Sequence, residues 1–109
     1  MNIDISKGFE LGAFHFDIET SDKIDKELIG RNRYGECSTQ GQVIRISGDY
    51  PKDQYSNTFL HECLEAVNSV YCNDGLNHKH ITNTANGLAQ ILKSLGISFV
   101  YGKTNKEQE

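Results

Sequence analysis

Two apolar stripes of helical period, parted by a short break of turn-forming residues, constrain this chain more than any other feature. From about Gln54 to Cys72, Leu60, Leu64, Val67 and Tyr71 recur three to four residues apart, and Phe59, Cys63 and Val70 widen the stripe. Asp53 or Ser56 is placed to cap its start. Asn73-Asp74-Gly75 ends it. A second stripe follows at Ile81, Ala85, Leu88, Leu92 and Leu95, with Asn77 as its cap and Gly96 as its stop. A connection this short makes the two helices antiparallel neighbours, a helical hairpin.

The first half of the chain has the period of strands. Phe14, Phe16 and Ile18 alternate with His15, Asp17 and Glu19. A polar stretch runs from Thr20 to Lys26, and the charges from Asp22 to Glu27 read as a solvated turn or face. Leu28 and Ile29 begin a second extended segment, interrupted by Gly30, that continues through Tyr34 to Cys37. Ser38 to Gly41 reads as a turn and Val43 to Ile46 as a β-branched strand. A short strand is possible at Ile97 to Tyr101. The predicted fold is α+β: an N-terminal three-stranded antiparallel sheet packed on a C-terminal helical hairpin. Residues 1–101 form one domain and 102–109 a polar tail.

Composition removes several function classes. At 109 residues there is room for one domain. Fifteen acidic against eleven basic residues, net −4, argue against a general nucleic-acid binder. No apolar run reaches the ~18 residues of a membrane span. The N-terminus lacks the basic flank and apolar stretch of a secretory signal. Three cysteines without such a signal fit free thiols in a reducing compartment, so a cytoplasmic location is expected.

The chemistry concentrates in His61-Glu62-Cys63-Leu64-Glu65, an HExxE motif on the first amphipathic helix. His61 and Glu65, four apart, leave the same helix face and can share one cation. Glu62 lies about 100° round the helix. In the HExxH pattern that residue does not ligate; it acts as general base on the water at the metal. A catalytic zinc takes three protein ligands and keeps one open position. Three residues before Ile81, the buried row of the second helix reaches His78, which is thereby aimed at the first helix. His61, Glu65 and His78 have the two-histidine, one-glutamate makeup of a thermolysin-type site. A His and a Glu at this spacing also occur on ordinary solvated helices; the second histidine, aimed by an independent periodicity, distinguishes this chain. A structural zinc would need a fourth ligand, for which His80 and Cys72 are nearest. Tyr71, His80 and His15 are the candidate oxyanion stabilisers, and His15 otherwise reads as a surface strand residue.

The order of these features resembles the small zincin-like metallopeptidase proteins of bacteriophages and prophages. The resemblance is carried by the alternating strand, Tyr34-Gly35-Glu36, the strand Gln42-Val43-Ile44-Arg45-Ile46, the helix segment from Thr58 to Ala66, and Leu76-Asn77-His78 ahead of an LAQIL helix. It spans roughly Phe9 to Leu95. It implies that His61 and Glu65 are metal ligands, Glu62 the catalytic base and His78 the third ligand. The implied cofactor is Zn²⁺ and the implied substrate a peptide or protein in the host cytoplasm. The departure is Glu65, where HExxH proteins have histidine; a carboxylate ligand weakens the ion's Lewis acidity. The strand from Gln42 to Ser47 is expected at the sheet edge beside the site, where an extended peptide can add. The competing readings are a phage protein that holds zinc but acts by binding a host factor, and a metal-free interaction module.

Overall fold

The computed structural model describes residues 1–102; residues 103–109, nearly all of the expected tail, lie outside the described residues. The chain is α+β, with three helices and six strands among the described residues. In order they are β1 (Asn2–Asp4), β2 (Phe9–Leu11), β3 (Phe14–Glu19), α1 (Asp22–Gly30), β4 (Gly35–Ser38), β5 (Val43–Ile46), α2 (Lys52–Tyr71), α3 (His78–Ser94) and β6 (Ser98–Val100). None of the described helices is long and apolar enough to cross a membrane.

The main sheet has four strands in the order β2-β3-β5-β4 and is mixed, not antiparallel as expected. β3 runs parallel to β5, with Ile18 opposite Ile44, while β4 is antiparallel to β5, with Cys37 opposite Ile44. The cause is α1, which occupies the stretch read as a polar turn and the start of a strand. It carries the chain over the sheet, so that β4 forms beyond β5 and β5 inserts next to β3. Ser21 caps α1, its side chain accepting a hydrogen bond from the Ile24 N–H. Asp22 and Asp25 favour its N-terminal dipole, and Leu28 buries its apolar side. Asp25 is also buried, where it accepts from the Gly48 N–H at 2.8 Å and ties α1 to the end of β5. The segment after α3 forms β6, which pairs in parallel with β1 as a separate two-stranded sheet.

The core lies between the main sheet and α2, where Ile18, Ile44 and Ile46 meet Tyr55 and Phe59. α2 starts at Lys52, just after Pro51, without a side-chain cap; Ser56, a candidate cap, instead accepts from the Phe99 N–H at 3.0 Å and attaches β6. α3 lies along α2 with contacts in reverse order. Lys93 pairs with Asp53, Asn57 bonds Asn86 at 2.8 Å, and His78 meets Glu65. The α3 stripe is covered unevenly: Ile81 and Ala85 are buried and Leu92 is half-buried, whereas Leu88 and Leu95 are exposed. Tyr71, at the end of the α2 stripe, is exposed too.

Candidate metal centre

The HExxE residues sit mid-way along α2, where the helix passes over the edge strand β4. The crossing is close because position 35 is glycine: a Cβ there would stand 2.6 Å from Thr58 Cγ2 and 3.5 Å from Glu62 Cγ. Glu62 is thereby held between helix and sheet, 7% exposed. Burial and the neighbouring Glu65 push its carboxyl up to about 7, against the pull of Arg33.

One helical turn sets His61 and Glu65 side by side, with His61 Nε2 3.6 Å from Glu65 Oε2. His78, the first residue of α3, brings its Nδ1 to 3.2 Å from the same oxygen. The two imidazole rings stand 5.2 Å apart at an interplanar angle of 70°. Burial, the largest influence, lowers the His61 pKa; His78 adds to this and Glu65 opposes it. That favours the neutral imidazole a metal requires.

The donor set fits a divalent ion. Ligands at the ~2.0–2.2 Å zinc bond lengths of a tetrahedron stand about 3.3–3.6 Å from one another. The two separations to Glu65 fall in or near this range, and the three donor atoms all lie within 4.8 Å of one another. Among the described residues the group has three donors; neither His80 nor Cys72 joins it. Three donors leave a tetrahedral ion one open position.

The cluster opens on a cleft of about 750 Å³. Its walls include Arg33, Tyr34, Glu36 and Cys37 from one side and Gln54 and Asn57 from α2. The strand beside the site is β4, which corrects the expectation for Gln42 to Ser47: β5 is an inner strand, flanked by β3 and β4. Tyr34 accepts from the Ser47 N–H, so the antiparallel alternation turns the N–H and C=O groups of Gly35 and Cys37 outward from the sheet.

None of the candidate oxyanion residues lines this cleft. His15 bonds Glu10 at 2.9 Å and lies 3.3 Å from Asp17 on β3, while Tyr71 and His80 lie outside the lining. The cation that does line it is Arg33, which the sequence reading passed over. Arg31 binds Glu36 and Arg45 faces Glu19 and Glu27, whereas Arg33 has no ion-pair partner among the described residues. Its only sequence signal is its place two residues before the glycine of β4. Cys37, Cys63 and Cys72 are free thiols. Burial pushes Cys37 up to about 11 and Cys63 up to about 12, values of unreactive thiols. No protein-family model, no curated protein and no solved structure matches this chain significantly, so the reading of the site rests on its own geometry.

Proposed function

We propose that the chain is a zinc-dependent, metallopeptidase-like hydrolase of the small phage zincin type, acting on a peptide in the host cytoplasm. The observation that carries this reading is the convergence of three donors from two helices beside a buried carboxylate, at the mouth of a cleft walled by β4, the edge strand among the described residues. His61, Glu65 and His78 would hold the ion. When bound, zinc supplies Lewis acidity, polarising a carbonyl and acidifying water.

The chain's own residues do the rest. The outward N–H and C=O groups of Gly35 and Cys37 pair with an extended peptide and set its scissile bond across the α2 crossing. Glu62 accepts a proton from the attacking water as the new C–O bond forms, and returns it to the nitrogen as the C–N bond breaks. Arg33 replaces Tyr71, His80 and His15 as the group facing the developing negative charge. The minimal zincin-like arrangement of sheet and helical hairpin belongs to this same reading.

The test is Glu62→Gln. Zinc content measured on protein purified without chelator is expected to stay at one ion per chain, while cleavage of a random peptide mixture falls by at least ~10²-fold. Cleavage unchanged by the substitution removes Glu62 from the mechanism. Zinc binding without cleavage by the wild type replaces the hydrolase with the host-factor binder, and absence of bound zinc replaces both with the metal-free module.

A further inference from the structure

The third donor, His78, opens α3 directly after the connection from α2, and one buried side chain holds that connection. Asn68 lies on α2, three residues beyond Glu65, and is 6% exposed. Its carboxamide takes up both main-chain groups of Leu76. The Leu76 N–H donates to Oδ1 at 2.9 Å, and Nδ2 donates to the Leu76 carbonyl at 3.2 Å. This orientation of the amide is the one chemistry allows, since the reverse would set donor against donor and acceptor against acceptor. The carbonyl of Asn68 accepts as well, from the N–H groups of Cys72 at 3.1 Å and Asp74 at 3.0 Å.

The connection needs such a clamp. Asn73 and Asp74 are consecutive non-glycine residues in the left-handed region, at φ 50° and 56°. That conformation persists only where surrounding bonds over-determine it. Its far end is Leu76. One residue on, Asn77 accepts from the His80 N–H and opens α3; one more is His78. The His78 side chain is 74% exposed, so little packing holds it. Its place opposite Glu65 follows from where its backbone is put.

We propose that Asn68 is the positioning residue of the metal centre: its carboxamide, by clamping Leu76, sets His78 against Glu65 and His61. The proposal rests on the metal reading above and deepens it. The Asn68 carboxamide hydrogen-bonds Leu76 and acts through the loop, as supporting groups of metal sites do.

Zinc affinity, by competition with a chromogenic chelator, and the visible spectrum of the Co²⁺ form test it in four variants: Asn68→Ala, Asn68→Asp, His78→Ala and the Asn68→Ala/His78→Ala double. Asn68→Ala is expected to weaken zinc about 10- to 100-fold and to shift the Co²⁺ spectrum toward that of His78→Ala. Asn68→Asp keeps the acceptor for the Leu76 N–H, loses the donor and falls between. In the His78→Ala background, Asn68→Ala is expected to change affinity less than about two-fold. Wild-type affinity in both Asn68→Ala and Asn68→Asp overturns the proposal. So does an equal loss in the two backgrounds, which marks a general structural role. Where Asn68→Ala does not fold, Asn68→Asp, of the same size, decides. A wild type that takes up no zinc overturns the metal reading itself, and this proposal with it.

Discussion

Tyr55 belongs to the buried core cluster with 9% of its surface exposed, and its hydroxyl has no hydrogen-bond partner among the described residues. Burial, reinforced by Tyr101, Asp25 and Asp4, pushes the phenol up to about 12 from its ordinary 10.0. The folded value lies above the unfolded one, so the neutral phenol favours the fold. That contribution is complete below pH ~10 and is lost as pH rises through about 12. Urea midpoints measured from pH 9 to 12 are therefore expected to fall steeply in the wild type and less in Tyr55→Phe. At pH 7 Tyr55→Phe is expected to be at least as stable as the wild type, because it removes a buried unpaired hydroxyl. Parallel pH profiles for the two proteins would show that the phenol is hydrated.

At the scale of elements, the interface that shapes the site is the crossing of α2 over β4. A methyl at position 35 would meet Thr58 Cγ2 at 2.6 Å and the Arg45 carbonyl at 3.0 Å, one a packed side chain and the other main chain. Gly35→Ala is expected to lower stability by about 1–3 kcal/mol in chemical denaturation. Adding Thr58→Ser, which deletes Cγ2 but keeps the hydroxyl bonded to Gln54, is expected to recover part of the loss. Wild-type stability of Gly35→Ala would mean that the helix stands farther from the strand. The same interface marks what periodicity can reveal. α2 and α3 were legible because each has a long stripe and a stop signal; His61 and Glu65 followed from the HExxE spacing on the first helix, and His78 from extending the second stripe back from Ile81. α1 was not, since Ile24 and Leu28 are too few to show a period and the Ser21 cap stands among ordinary turn residues. Missing α1 made a mixed sheet look antiparallel and put β5 at the edge. Alternation reports which face a strand buries, never which strand lies beside it. Arg33 was invisible for the same reason: its place in the cleft depends on how α1 delivers the chain to β4.

For the whole molecule, an ion held by His61, Glu65 and His78 would cross-link two helices whose mutual contact is only partly apolar. Beyond Ile81 and Ala85, α3 is held to α2 by polar pairs such as Asn57–Asn86 and the exposed ion pair Lys93–Asp53. Exposed pairs of this kind contribute ~0–1 kcal/mol each. An ion bound only by the folded chain adds RT ln(1 + [L]/Kd), about 2.7 kcal/mol at a free concentration of 100 Kd. For a domain of this size that corresponds to a rise of roughly 10–20 °C in Tm. Thermal unfolding of metal-free protein, repeated with added zinc, is expected to show this shift in the wild type and in Glu62→Gln, whose ligands are intact. Glu65→Ala is expected to abolish it, because Glu65 Oε2 is the atom that both His61 and His78 approach. If the three side chains are merely hydrogen-bonded to one another, zinc leaves Tm unchanged in all three proteins. In that case Glu65→Ala costs no more than an exposed pair, and the helices owe their alignment to Asn68, the apolar contacts and the polar pairs along them.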